Sequence, residues 1–403
     1  MSEHLSNNGE THLVLEKNRI AESWRNRRWD SLVANGPAWH DRFPNMKFNN
    51  MPANDFATKD NITSYFEDYA KLINAPIRCG VEVKSVTKKN AAYGFDVETS
   101  EGKFETENIV VATGPFQVPV IPPIVPKTEP VEQLHSDSYK NPEQLPKGAV
   151  LVVGAGSSGA QIADELMQSG KKVYLSVGPH DRPPRNYRGR DFCWWLGVLG
   201  KWDDTNVKQG KEHVTIAVSG ARGGFTVDFR KLADEGITLL GRTESYQNGV
   251  MKFSSGLAKN IADGDKNYLS LLQEADAYIE RNGVDLPAEP EAHIIGTDPD
   301  CLTNPITDLN LNDAGITSII WATGFKLDFS WLKLDIFDEK GKPKHERGIS
   351  AEPGVYFLGL PWQSRRGSPF IWGVWHDAKY IADQILKLQN YLEYHNKELT
   401  KKT

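Results

Sequence analysis

The chain has 403 residues, 39% of them hydrophobic and 25% charged, with a formal net charge of −6. That length suits about two domains, the charge balance excludes a polybasic nucleic-acid surface, and no run approaches the ~18 apolar residues of a membrane span. Cys79, Cys193 and Cys301 are scattered, with no C-x-x-C pair, which argues against a disulfide framework, a zinc site and a dithiol redox centre. The first ten residues are polar and carry no signal-peptide pattern, so a reducing cytoplasm is the expected setting. Small molecules are the expected partners, and the composition is compatible with a homodimer.

Ser2 to Asn8 reads as the back half of a helix, ended by Gly9. A short strand from Thr11 to Leu15 follows and finishes in Glu16. A helix end, a Gly, a strand and a terminal acid make the second half of a dinucleotide-binding β-α-β unit, whose acid would bind a ribose; a solvated strand-end charge is the alternative. The first strand and glycine loop of that unit do not precede it in this sequence. Trp24-Arg25 and Arg28-Trp29 interleave rings that stack with guanidinium groups that clamp phosphates, although a surface basic cluster has the same composition. Asn49 and Asn50 lie in a loop and offer amides to a ligand or to a turn.

Asn61 to Leu72 has the spacing of an amphipathic helix, with Ile62, Phe66, Tyr69 and Ile73 on one face. Strands are expected over Val81–Val86, Tyr93–Thr99 and Glu105–Val111, the last ending in Ala112-Thr113-Gly114, where a small residue admits a cofactor. Pro115 to Pro130 holds six prolines and reads as a stiff link into a second domain.

That domain is organised around Gly148 to Gly178. Val150 to Val153 is a buried-strand run, Gly154, Gly156 and Gly159 form G-x-G-x-x-G, a helix opens at Ser157-Ser158, and a second strand covers Val173 to Val177. Strand, glycine turn, helix and strand in that order place a pyrophosphate on the helix N-terminus. Ser176 stands where an acid would choose NAD(H). Arg182, Arg185, Arg188 and Arg190 follow it, a pattern suited to the 2′-phosphate of NADP(H), with a solvated basic loop as the alternative.

Beyond it, strand-like residues are expected between His213 and Gly224, and helices over Phe225–Gly236 and Asn267–Asn282. From about Asp285 to Pro305 the composition turns loop-like, and the chain is expected to cross back. Ser318 to Trp321 is a strand ending in Ala322-Thr323-Gly324-Phe325, an echo of Ala112-Thr113-Gly114-Pro115-Phe116. Gly354 to Leu360 is a last strand before a helix from His376 to Leu388, and the tail from Tyr391 is charged. Trp194, Trp195, Trp362, Trp372 and Trp375 are candidates to line a cavity for an apolar compound.

This order of an acid-ended strand with Trp-Arg, an A-T-G strand, a proline linker, His135-x-x-x-Tyr139, G-x-G-x-x-G, a second A-T-G-F and a final glycine-flanked strand resembles the flavin-containing monooxygenases and their bacterial flavoprotein relatives. The resemblance runs from about Thr11 to Leu388. It departs at Glu129 and Val131, where the family fingerprint has Phe and Gly, and at the absent flavin glycine loop.

The resemblance implies an α/β fold of two dinucleotide-binding Rossmann-like domains, with the NADP domain inserted into an N-terminally truncated FAD domain. The expected boundaries are 1–126 and 301–390 for the FAD parts, 127–300 for the NADP(H) domain and 391–403 for the tail. It also implies that Glu16, Trp24 and Arg25 bind FAD, and that Thr113-Gly114 and Thr323-Gly324 mark close cofactor passages. Gly154, Gly156, Ser157, Ser158, Gly159 and Ser176, with Arg182 or Arg188, would hold NADPH; Asn50 and Arg366 are candidates to contact the oxygenated flavin.

The implied reaction is NADPH-dependent insertion of one oxygen from O2 into a small organic substrate through a C4a-(hydro)peroxyflavin. Two alternatives remain at this stage: a flavin reductase or oxidase without oxygenation, and a catalytically silent NADP-binding protein.

Overall fold

A computed structural model describes residues 1–90, 93–205 and 215–400. At its centre is a five-stranded, wholly parallel sheet in the order Thr238–Leu240, Val173–Ser176, Ala149–Val153, Ile316–Trp321 and Glu132–His135. Ala149–Val153 is buried along its whole length, as a central strand covered on both faces requires. Successive side chains serve opposite faces. Val150 and Val152 pack with Ile162 and Leu166 of the helix Ser157–Gln168. Leu151, Ile319 and Trp321 pack on the other face with Met251 and Phe253, which belong to an antiparallel layer of Thr243–Gln247, Val250–Phe253 and Asp308–Asn310.

The crossing back comes later than expected. Ile316–Trp321, placed by the sequence in the part beyond residue 300, is paired on both sides inside the nucleotide sheet. Its alternating apolar residues are what the two core layers need there, so the return lies beyond Trp321. The two interdomain passages then meet: Val118–Pro119 pairs antiparallel with Phe325–Lys326.

The remaining strands form smaller sheets. Val14–Glu16 pairs in parallel with Ile77–Cys79. Ile109–Val111 pairs in parallel with Val355–Phe357, whose other edge carries the antiparallel Ile349–Ser350. Among the described residues no ladder joins these two groups. A three-stranded antiparallel layer, Val83–Lys88, Phe95–Thr99 and Gly102–Thr106, closes a core of Val86, Phe95, Val111, Phe329 and Phe357.

Several helix ends are legible locally. Gly9 takes φ +77 just past Ser2–Asn7. Lys59–Leu72 opens on a Thr58/Asn61 capping box, two residues ahead of the expected start. Leu257–Asn282 begins ten residues earlier than expected and stops at Gly283, φ +59. The last helix runs Val374–Thr400, so the expected tail from residue 391 continues as helix through Thr400. His213 and Val214, part of an expected strand, lie outside the described residues.

Candidate functional site

The nucleotide loop is built by close backbone packing. Gly154 takes φ +104, and a Cβ there would sit 2.5 Å from the Ala322 carbonyl oxygen. A Cβ on Gly159 would sit 1.8 Å from the Gly154 carbonyl oxygen. Both positions therefore exclude every side chain. Gly156 is the N-cap of Ser157–Gln168, and no side chain caps that end, which leaves the first-turn N–H groups and the positive helix pole without a protein acceptor. Ser157 Oγ donates to Ile216 O at 2.9 Å, tying the turn to the neighbouring segment. Ser158 stands beside it in the first turn.

The ribose end differs from expectation. Ser176 is buried; its Oγ donates to Gly241 O (2.9 Å) and accepts from Thr243 N–H (3.1 Å) and the Thr243 hydroxyl (2.9 Å). Three of the four arginines after it are held in ion pairs, and the fourth, Arg190, is exposed with its guanidinium 5.7 Å from the Trp194 ring. Arg182, 2% exposed, donates to Asp265 Oδ1 at 3.0 and 2.6 Å under the Tyr268 ring. Arg185 pairs with Asp191 (2.5 Å) and Arg188 with Asp276 (2.9 Å). Burying a guanidinium demands such a carboxylate, and neither Arg182 nor Arg188 is left free for a phosphate. Arg242, which no motif marks, is exposed and follows Gly241 at the same end of the sheet.

On the other side, Glu16 ends its strand as expected and accepts from Asn18 N–H at 2.8 Å. Trp24 lies in the short helix Glu22–Asn26 with the Arg28 guanidinium 5.6 Å from its ring. Arg25 is engaged by Glu67 and by Ile20 O rather than held open. Thr113 Oγ1 and Gly114 O both accept from the Gln117 side-chain amide at 2.9 Å. Thr323 donates to Val120 O, and Gly324 O meets His135 Nε2 at 2.9 Å. Gly114 and Gly324 have φ +68 and +79, and a Cβ on either would meet no atom within 4 Å. Glycine is needed at both for backbone sign rather than for close protein packing.

The two A-T-G turns are brought together, one from each half. Phe116 and Phe325 meet edge to face at 5.4 Å, and Arg27 bonds both Asp137 (3.1 Å) and Gln117 O (3.0 Å). Burial lowers the His135 pKa against the opposing pull of Asp137. For Asp137 burial acts upward, but the Ser138 hydroxyl and Arg27 outweigh it and lower its pKa. Tyr139, fully buried, donates to Glu165 Oε2 at 2.7 Å, so the His135-x-x-x-Tyr139 fingerprint locks the linker to the nucleotide helix.

Asn50 is exposed at φ +55. Arg366 stands 5.5 Å over the Trp202 ring, with burial lowering its pKa against Asp181 and Asp204. No hydrogen bond joins Asn50 to Arg366 among the described residues. The tryptophans do not share one cavity: Trp195 is core and donates to Tyr187 O, while Trp372 packs with Trp202 and His40 at 4.9 and 4.7 Å. Two adjacent depressions of about 210 and 280 Å³ share Phe225, Thr226, Asp228 and Lys231 and include no glycine-loop residue. No group of His, Cys, Asp and Glu among the described residues suits a metal ion, and no helix among them is long and apolar enough to cross a membrane.

Residues 1–189 match the family model of the pyridine nucleotide-disulphide oxidoreductases. A CzcO-like oxidoreductase of Geobacillus kaustophilus is 36% identical, covering 93% of this chain and 90% of its own. A probable indole-3-pyruvate monooxygenase, YUCCA4 of Arabidopsis thaliana, is 27% identical over 94% of this chain and 85% of its own. Among solved structures, the flavin-containing monooxygenase of Stenotrophomonas maltophilia superposes with a TM-score of 0.61 at 16% identity, over 93% of this chain and 98% of that one. The enzyme OTEMO, solved with FAD and NADP, gives 0.53 at 16%, over 98% and 84%. The chain thus belongs to the family of the CzcO-like oxidoreductases, on the α/β fold of two Rossmann-like domains that it shares with flavin monooxygenases.

Proposed function

We propose that the protein is an NADPH-dependent flavoprotein monooxygenase that inserts one oxygen atom from O2 into a small organic substrate, with FAD and NADP(H) as its cofactors. The observation that carries the reading is the Gly154/Gly156/Gly159 loop, cleared of every Cβ and backed by an uncapped helix N-terminus at the carboxyl edge of a parallel sheet. That cradle fits a pyrophosphate. The relatives named as monooxygenases support the class of reaction.

The flavin side fits in part. Glu16 ends the strand Val14–Glu16 and Thr113-Gly114 follows the strand Ile109–Val111, but among the described residues no ladder joins those two strands. When bound, FAD would take electrons from NADPH and pass them to O2. The chain's own part is positional. Gly154, Gly156, Ser157, Ser158 and Gly159 would hold the dinucleotide. Glu16, Trp24, Thr113 and Gly114 would serve the flavin. The Phe116–Phe325 contact, with Thr323 and Gly324 behind it, ties the two A-T-G turns together.

The same glycine loop also fits a second reading, an NADPH-dependent flavin reductase or oxidase without oxygenation. Purified protein is scanned for a flavin absorbance band with and without added FAD; NADPH oxidation is then followed together with oxygen uptake and free H2O2. A flavin band with oxygenated product accounting for the NADPH consumed supports the monooxygenase. H2O2 equal to NADPH whatever the substrate selects the second reading, and absence of a band even with excess FAD overturns both.

A further inference from the structure

Away from the glycine loop, buried polar atoms without partners gather in one corner of the fold. Among the described residues nine buried side-chain nitrogen and oxygen atoms have no hydrogen-bond partner, and three of them are Arg347 Nε, Gln363 Nε2 and Asp377 Oδ2. Buried polar groups are nearly always satisfied, by protein or by an ordered water. We propose that these three atoms bind one internal water molecule, and that this water helps fix the loop by which one half of the protein grips the other.

Convergence is the first argument. Asp377 is fully buried in the first turn of the helix Val374–Thr400. Its Oδ1 lies 3.9 Å from Arg347 Nε, too far for a hydrogen bond and at the separation where a bridging water belongs. Arg347 is held there, because its guanidinium lies over the Tyr380 ring, 3.9 Å from the centroid. Gln363 reaches the same turn. A Cβ on Gly348, the residue after Arg347, would stand 2.5 Å from Gln363 Nε2 and 3.0 Å from Ile381 Cδ1, and Ile381 is one helical turn past Asp377. The Gln363 amide cannot be turned about, since its Oε1 accepts from Leu360 N–H at 3.3 Å.

The chemistry of the three atoms names the occupant. Arg347 and Gln363 present N–H donors, and Asp377 presents a carboxylate oxygen. A bare cation would meet the guanidinium, and a bare anion would meet the carboxylate. Water accepts from both donors and still donates to Asp377.

What the site holds is the third argument. Ser364 Oγ donates to Asp377 Oδ1. The fully buried Ser368 hydroxyl accepts from Ser364 N–H and Arg365 N–H, each at 3.1 Å. These bonds fold the loop onto the helix start, and its tip meets the half that carries the nucleotide sheet. Arg366 N–H donates to Asp204 O at 2.8 Å, Gly367 N–H to Trp202 O at 3.1 Å, and Arg365 Nη1 to Asp203 Oδ1 at 2.6 Å. The water thus joins Arg347 and Gln363 to the carboxylate that anchors the contact between the halves.

The test is a crystal structure of the full chain that resolves ordered water, joined to hydrogen exchange by mass spectrometry on wild type, D377N and K379M. One density peak within hydrogen-bond reach of Arg347 Nε, Gln363 Nε2 and Asp377 Oδ2 is expected, and wild type alone decides it. D377N keeps an oxygen for Ser364 but turns the water's acceptor into a donor. Peptides covering residues 360–373 should then exchange about 10-fold faster, while those covering Ala149–Val153 exchange as in wild type. K379M, which removes an exposed lysine on the same helix, should match wild type throughout. No peak at that position, or Arg347 or Gln363 bonded directly to Asp377, overturns the water site. Loop exchange in D377N at the wild-type rate overturns its hold on the loop, and equal acceleration of the nucleotide sheet reduces Asp377 to a general stabilising role and overturns that hold as well.

Discussion

Gly159 lies directly against Gly154: a Cβ on the former would stand 1.8 Å from the carbonyl oxygen of the latter. The contact holds the turn closed, so that the helix opening at Ser157 points its free N–H groups at the sheet edge. It also makes the turn intolerant of the smallest side chain. Gly159→Ala should lower stability by about 1–3 kcal/mol and abolish NADP+ binding, read by urea unfolding and by titration. Tight NADP+ binding by this variant would show that the turn is not the phosphate cradle.

Asp265 bridges two buried cations, Arg182 at 2.6 Å and Arg230 at 2.7 Å. Without it Arg182 keeps only Asp228, at 3.8 Å, and Arg230 only Asp298, at 2.8 Å, and breaking a buried pair costs about 3–5 kcal/mol. Asp265→Asn should therefore destabilise strongly in denaturant melts. A loss under about 1 kcal/mol, the ceiling for solvated pairs, would contradict the buried bridge.

His180 is buried against Phe229, with Nδ1 3.0 Å from Gly178 O and Nε2 without a partner. Burial, aided by Arg182, lowers its pKa from the usual 6.5, against Gly178 O, Asp181 and Asp265. A histidine whose folded pKa lies below its unfolded value takes up protons more readily in the unfolded chain. Its contribution is complete above about pH 6.5 and is lost as pH falls through the window below. Burial lowers the pKa of His135, His345 and His376 in the same sense. Thermal midpoints should drop between pH 7.5 and 5.5, and the drop should be smaller in His180→Asn; an equal drop would remove His180 from the account.

The three thiols should separate kinetically. Cys79 is exposed, Cys301 is half-buried and Cys193 is buried. Burial pushes the Cys193 thiol well above its usual range and that of Cys301 in the same direction. A thiol-specific chromogenic reagent should titrate Cys79 first and Cys193 only on unfolding. Rapid reaction of two thiols together, or loss of one pair on oxidation, would reopen dithiol chemistry.

Much of the architecture was legible because it is local. The nucleotide unit announces itself by spacing: an apolar strand, glycines where two backbones touch, and a helix whose apolar positions recur at helical period. Gly9, Thr58 and Gly283 mark helix ends through backbone sign and capping oxygens, both properties of a few adjacent residues. The two A-T-G turns were visible as a repeat. They need positive φ at Gly114 and Gly324, and the second turn closes a strand of the nucleotide sheet.

What the sequence alone determined was the glycine turn between strand and helix and the α/β class around it, since both follow from periodicity and from glycine's missing side chain. Tertiary structure alone decided the chemistry of the ribose end. Four arginines after Ser176 read as a phosphate clamp until Asp265 and Asp276, more than 80 residues onward, return to neutralise Arg182 and Arg188. Gly241 and Thr243 occupy the Ser176 hydroxyl in the same way. Ion pairing and hydrogen-bond saturation depend on which distant groups the fold brings within 3 Å, and no local pattern carries that information.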